Sequence, residues 1–572
     1  MIVKSLFKLV SLQINYSICF TLYLKANVIR YDAGNASILG QLQRYCMKEN
    51  HDKYSIDNTD YTVGQDNVQK WGFDIHNPVF GTSAGLIVIF LIAILVTDPL
   101  TAKTALDSIK TDIINNFDAL FMWAANFFVL FCLALIVSPY GNIRLGGDDA
   151  KPSHSRISWL AMLFAAGMGI GLMFWGVAEP VAYFTGWYET PLNVAANTPE
   201  AAKLAMGATM FHWGLHPWAI YAVVGLSLAF FTYNKGLPLS IRSIFYPILG
   251  DRAWGWPGHI IDILAVLATL FGLATSLGLG AQQASAGINH VFGTEGGVGS
   301  QILVIAGVTL LAIVSVVRGI DGGVKLLSNV NMLIAFSLLL FVCLVGFAVA
   351  MGNVPTTVMG YVENIIPLSN PHGREDETWM HGWTVFYWAW WISWSPFVGM
   401  FIARVSRGRT IREFLIAVLL IPTLVTVLWM SIYGGIAIDQ VVNGIGALGT
   451  NGLTEVPLAM FQMLDELPLS NILSFIAIVL VLVFFITSSD SGSLVIDSIT
   501  AGGKIDAPVP QRIFWATVEG AIAAALLWIG GTQAIEALQA GAVSTGLPFT
   551  IVLLFMCVSL ILGLRTEPRP IK

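Results

Sequence analysis

Charge is scarce in this chain. Only 11% of its 572 residues are Asp, Glu, Lys or Arg, against roughly 25% in a soluble domain. No polar block is long enough to form a soluble domain of its own, so a multidomain soluble protein is excluded despite the length. Cysteine is scarce too. Cys132, Cys343 and Cys557 fall in apolar runs and Cys19 and Cys46 near the N-terminus, which gives neither a disulfide framework nor a metal-ligand spacing. No basic surface for nucleic acid stands out, and no nucleophile–base pair points to an enzyme. The net charge of −6 is spread over loops and names no partner.

What is abundant is hydrophobic sequence, 56% of the chain, with mean hydropathy +0.72. Apolar stretches of about 20 residues mark membrane spans, and twelve are expected. They centre on 79–97, 119–138, 157–178, 204–231, 263–280, 301–317, 326–351, 383–403, 414–438, 471–488, 514–529 and 545–564. Alternate loops, with the C-terminal tail, hold roughly 17 Lys and Arg against 4 in the others, which places both termini in the cytoplasm by the positive-inside rule. Residues 1–74 are expected to be a flexible tail. Their stretch 5–24 is interrupted by Lys8, Gln13 and Asn15, and Met47 is an alternative start. Residues 75–156 would hold two peripheral helices, and 565–572 a short cytoplasmic tail whose cations rest on anionic lipid at about 1 kcal/mol each.

Two apolar segments are crowded with aromatics. One is Phe386–Met400, with Trp388, Trp390, Trp391 and Trp394; the other is His212–Tyr221, with Trp213 and Trp218. A lipid-facing helix needs no such rings. Stacked Trp faces suit a desolvated organic cation, at about 2 kcal/mol or more per well-placed ring. Trp213, Trp218 and Tyr221 would form a curved wall of roughly 140° on one helix bent at Pro217, closed by Trp391 and Trp394. An interfacial aromatic belt is the competing reading. Trp383 and Trp388 read as interfacial or packing residues.

Glycines 167, 169 and 171 either allow close helix packing or let the third span unwind around a ligand. Ser395-Pro396 and Gly399 are expected to break the eighth span. Five spans separate the two breaks, a pattern of inverted repeats with the binding site between them, so 157–351 and 352–564 would be the two repeats. Thr487 and Ser488 either back-bond to their own helix or offer oxygens to a hard cation. Asp490 and Asp497 are expected at the cytoplasmic mouth, and Glu519 is an intramembrane carboxylate or a snorkelling one.

The glycine run, His212-Trp213 with Trp218 and Tyr221, the stretch from Trp390 to Gly399, and Thr487-Ser488-Ser489-Asp490 together resemble the betaine/choline/carnitine transporter family, from about Pro78 to Leu564. The resemblance implies an all-α integral membrane protein of twelve helices, two inverted five-helix repeats preceded by two helices, and a homotrimer in a bacterial inner membrane. It implies an onium box of Trp213, Trp218, Tyr221 and Trp391, with Trp394 on the inward path and Gly169 and Gly171 beside the substrate. It carries sodium onto the carbonyls of Ala165, Met168 and Phe484 and the hydroxyls of Thr487 and Ser488. A second sodium position would fall on Thr269, Leu273 and Phe397, where Leu273 has no oxygen to offer. Val398 stands where sodium-independent exchangers carry Met, which favours an ion-coupled symporter over an exchanger; a proton-coupled choline-type carrier is a further alternative. Gly171 stands where choline carriers carry Asp. Without that fixed anion, the expected substrate is a zwitterion such as glycine betaine, dimethylsulfoniopropionate or carnitine.

Overall fold

The computed structural model describes residues 59–167, 169–318 and 325–567. The expected flexible tail is corrected at its C-terminal end, because residues 59–74 are built into the fold. Strands β1 (Val68–Lys70) and β2 (Phe73–Ile75) form an antiparallel hairpin around Trp71 and Gly72, both at positive φ, as a two-residue hairpin turn requires. The hairpin and the segment before it are both tied down. Lys504 pairs with Asp74, and Tyr61 stacks on Trp254 with ring centroids 4.3 Å apart.

Helices make up nearly all the rest: α1 (Asn77–Val96), α2 (Pro99–Val137), α3 (Arg156–Gly167), α4 (Ile170–Thr185), α5 (Pro199–Trp213), α6 (Leu215–Tyr233), α7 (Trp256–Phe292) and α8 (Val298–Arg318), then α9 (Lys325–Val345), α10 (Phe347–Ser369), α11 (Phe386–Val405), α12 (Ile411–Val442), α13 (Ser470–Thr500), α14 (Val509–Gly530) and α15 (Ala534–Leu564). Each of the twelve expected spans falls on helix. Among the described residues, however, eight helical runs are long and apolar enough to cross a membrane, or nine if α9 and α10, bent by 104°, form one span. The difference has local causes. The third expected span is split into the short α3 and α4, the Trp- and Ser-rich α11 is not among the counted runs, and the last two join through a 3-10 turn at Gly531–Gln533.

Burial sorts the helices. The α1 span is mostly unburied, whereas most of the α5–α6 run is buried. Buried α11 packs against α6, α7 and α15, so the aromatic-rich segment lies in the interior. α5 crosses α10 where Gly207 meets Gly360; a Cβ on Gly207 would come within 2.4 Å of the Gly360 carbonyl oxygen.

The expected break in the eighth span is not there. α11 runs unbroken through Pro396, and the one irregularity is a π-helical turn at Met380–Val385 just before it. Proline lacks an N–H and so frees the carbonyl four residues back, here that of Ile392. The Ser395 hydroxyl donates to that carbonyl at 2.7 Å, so the helix continues without an unpaired acceptor.

Candidate substrate site

Breaks do occur in the third and fourth spans. Gly169, extended at φ −157° and ψ −165°, caps α4; Met168 lies outside the described residues. The fourth span breaks at Gly214 rather than bending at Pro217, which sits in the first turn of α6, where proline is tolerated. A Cβ on Gly214 would meet the Met210 carbonyl at 2.6 Å and the Tyr361 hydroxyl at 2.9 Å. That hydroxyl accepts the freed Leu215 N–H at 3.0 Å. The expected wall on one continuous helix is therefore corrected: Trp213 ends α5, whereas Trp218 and Tyr221 share a face of α6.

The break and α11 bring the expected rings together. Trp391 lies 4.9 Å from Trp213, 6.2 Å from Tyr221 and 6.3 Å from Trp394, and Tyr221 lies 5.5 Å from Trp218 and 6.4 Å from Trp394. These are centroid separations of edge-to-face and tilted pairs. All five rings are buried, which rules out the aromatic-belt reading for them. Trp391 is held by its indole N–H, which donates to the His212 carbonyl at 2.9 Å, and by stacking on Trp390 at 4.6 Å. The Tyr221 hydroxyl and the Trp394 indole nitrogen are buried with no hydrogen-bond partner in the chain. Trp383 and Trp388 are packing residues, the latter against Phe211 and His216.

The glycines line this wall closely. A Cβ on Gly169 would lie 3.6 Å from Trp394, and one on Gly171 would lie 2.7 Å from Trp213 and 3.2 Å from Trp390. Position 171 thus has no space for a side chain as the rings stand.

Behind Trp213 sits a carboxylate that sequence reasoning did not assign to the site. Glu179 is fully buried in α4. Its Oε2 accepts the Trp213 indole N–H at 2.7 Å and the Tyr387 hydroxyl at 2.5 Å. Its Oε1 accepts the Tyr183 hydroxyl at 2.9 Å and faces His212 Nδ1 at 3.0 Å. Four donors on two oxygens are what a carboxylate, an acceptor-only group, can take. Gly171 carries no side chain to supply an anion, and the Glu179 carboxyl group stands one ring behind it, bonded to Trp213. In sequence Glu179 stands just past the end of the third expected span; the signal was an ionisable residue bordering an apolar run.

The expected cation ligands lie on several helices. Thr487, in α13, donates its hydroxyl to the carbonyls of Val483 and Phe484 at 3.0 and 3.1 Å, and Ser488 follows it. Ala165 lies in α3. Thr269 back-bonds to Ala265 at 2.7 Å, Leu273 adds no oxygen, and Phe397 packs on Trp394. Among the described residues no group of three His, Cys, Asp or Glu could hold a metal ion. Glu519 does not snorkel. It is fully buried and accepts from Ser489 at 3.1 Å. Asp490 and Asp497 are likewise buried, with Ser315 and Arg512 as partners.

A family model described as betaine/carnitine/choline family transporter matches residues 78–569. The chain is 76% identical to glycine betaine transporter 1 of Vibrio parahaemolyticus serotype O3:K6 (strain RIMD 2210633), over 91% of this chain and 100% of that protein. It is 71% identical to a glycine betaine/proline/choline/ectoine transporter of the same organism, over 90% of this chain and 92% of that protein. It is 44% identical to a glycine betaine transporter of Bacillus subtilis (strain 168), over 83% and 92%.

Proposed function

The chain belongs to the betaine/carnitine/choline transporter family, a multi-pass membrane protein and not an enzyme, and we propose that it imports a betaine-like zwitterion by sodium symport with alternating access. The observation that carries this reading is the enclosure formed by Trp213, Trp218, Tyr221, Trp391 and Trp394, five buried rings from three helices with neighbouring centroids 4.9–6.4 Å apart. A quaternary nitrogen carries its charge over methyl groups and cannot donate a hydrogen bond. Ring faces are therefore its natural partners. The two unpartnered donors, Tyr221 Oη–H and Trp394 Nε1–H, are the groups on hand for the substrate's carboxylate, since a buried donor without a partner costs about 1–3 kcal/mol. Glycine betaine, the substrate in the names of several relatives, has both ends.

A net-neutral substrate gains nothing from membrane potential, so the driving force falls to the coupling ion. One charge moved across about 100 mV supplies about 2.3 kcal/mol, or roughly 50-fold accumulation. The sodium position we favour uses the carbonyls of Ala165, Met168 and Phe484 with the hydroxyls of Thr487 and Ser488, an oxygen set suited to a hard cation. In this reading twelve helices form two inverted repeats after two peripheral helices, both termini face the cytoplasm of a bacterial inner membrane, and three copies associate. Uptake of labelled glycine betaine into proteoliposomes tests the reading, with choline, proline, ectoine and carnitine as competitors. Uptake should require external sodium, and Thr487→Ala should raise the sodium concentration for half-maximal rate. Undiminished uptake with potassium as the sole external cation would overturn the symport.

A further inference from the structure

We propose that Glu179 is the fixed counter-charge of the onium site: through the Trp213 indole it sets the site's preference for a positively charged head group over a neutral one of the same shape. The inference rests on the aromatic enclosure being the substrate site.

Three observations carry it. Glu179 is fully buried and bonded directly to a ring of the enclosure, Trp213 Nε1–H to Oε2 at 2.7 Å. The same oxygen accepts Tyr387 at 2.5 Å, and the Tyr387 ring lies 5.7 Å from Trp213 and 5.8 Å from Trp391. Thirdly, its charge is not cancelled locally. Among the described residues no lysine or arginine pairs with it; its one basic partner is His212. A neutral imidazole satisfies the His212 contacts, with Nδ1–H shared between Glu179 and the Tyr183 hydroxyl oxygen, each at 3.0 Å, and Nε2 accepting the Thr384 hydroxyl at 2.9 Å. Arg374, in the loop before the π-helical turn, is paired with Asp376 at 2.6 Å.

A buried charge without an opposite partner is costly, and here the substrate's head group supplies the partner. An indole whose N–H bonds to an anion also holds more electron density in its ring face, which strengthens its attraction for a cation. Both effects fall off with distance but survive in an interior that water does not screen. Glu179 touches no substrate in this account. It is a positioning and specificity residue acting through Trp213 and Tyr387.

The consequence for substrate class is direct. A site with a built-in anion accommodates a head group that brings no carboxylate of its own, so choline-like cations are admitted alongside zwitterions and lose the most when Glu179 is neutralised.

The test compares charged ligands with carbon isosteres, by competition against labelled glycine betaine in proteoliposomes. Glycine betaine is paired with 3,3-dimethylbutanoate, and choline with 3,3-dimethylbutan-1-ol. In the wild-type protein the onium member of each pair should bind more tightly. Equal binding there would mean that the enclosure does not recognise charge, and the underlying site reading itself fails. In Glu179→Gln the betaine affinity should fall by about tenfold, choline by more, and the isosteres by less than about twofold. If all four ligands weaken together, Glu179 merely props up Trp213 and the proposal is wrong, as it is if the onium preference is unchanged. Should Glu179→Gln not fold, Tyr183→Phe removes a donor from the carboxylate but leaves its charge and its bond to Trp213. The onium preference should then hold or rise, and a fall overturns the proposal.

Discussion

Replacing Gly171 with alanine adds one methyl group and should cost much of the transport activity. The added carbon would lie 2.7 Å from Trp213 Cη2 and 3.2 Å from Trp390 Cη2, well inside van der Waals contact. Neither ring can yield freely. Trp213 is tied to Glu179 at 2.7 Å, and Trp390 donates to the Gly272 carbonyl at 3.3 Å while stacking on Trp391. Overpacking of this kind costs about 1–3 kcal/mol. Displacing the Trp213 face from the head group removes up to about 2 kcal/mol of cation–π attraction, or roughly 30-fold in affinity. The assay is KM for glycine betaine in proteoliposomes, with thermal stability followed by fluorescence-detected size exclusion. Trp213→Phe on the Gly171→Ala background provides the internal control. A smaller ring relieves the clash but gives up the bond to Glu179, so stability should recover only in part while affinity should not. Contacting residues couple in this non-additive way. Wild-type KM and stability in Gly171→Ala would refute the packing argument. The same geometry means that Gly171→Asp alone, with Trp213 in place, should disable the site rather than convert it to choline.

Trp391→Leu should abolish uptake while leaving the detergent-solubilised protein folded, because Trp391 contributes ring faces to the enclosure beside Trp213 and Tyr221; wild-type affinity would remove the enclosure as the site. Asp262→Ala should be strongly destabilising, by about 3–5 kcal/mol, since it strands the fully buried Arg242 guanidinium 3.3 Å from where its carboxylate stood; an unchanged thermal midpoint would show that the pair is dispensable. Beside that pair, burial and the Arg242 guanidinium push the His76 imidazole down to about 3. His76 lies against Arg242 at 3.0 Å and His259 at 3.3 Å. The folded state thus disfavours the protonated ring. Its contribution is fully present above the unfolded value of about 6.5 and is lost progressively as pH falls towards 3. His76→Gln should therefore flatten the loss of thermal stability between about pH 7 and pH 5, and an unaltered acid limb would assign that loss to other groups.

Composition and the spacing of apolar runs were enough to establish a multi-helical membrane protein, because a segment in hydrocarbon must satisfy its own backbone and advertises this as an unbroken apolar stretch. The aromatic motifs were enough to nominate the five rings, because buried Trp clusters have few uses. Whether a helix breaks is another matter. Pro396 looked like a break, but the Ser395 hydroxyl takes the carbonyl that it frees. Gly214, which looked unremarkable, is the actual break, made by the approach of Tyr361 from a helix far along the chain. Only the tertiary structure set Glu179 behind Trp213 and Tyr387, and only it filled the space at Gly171 with two indoles. Local sequence records what a residue can do; which partner arrives from 34 or 208 positions away is decided by packing. The charge of a site depends on those arrivals.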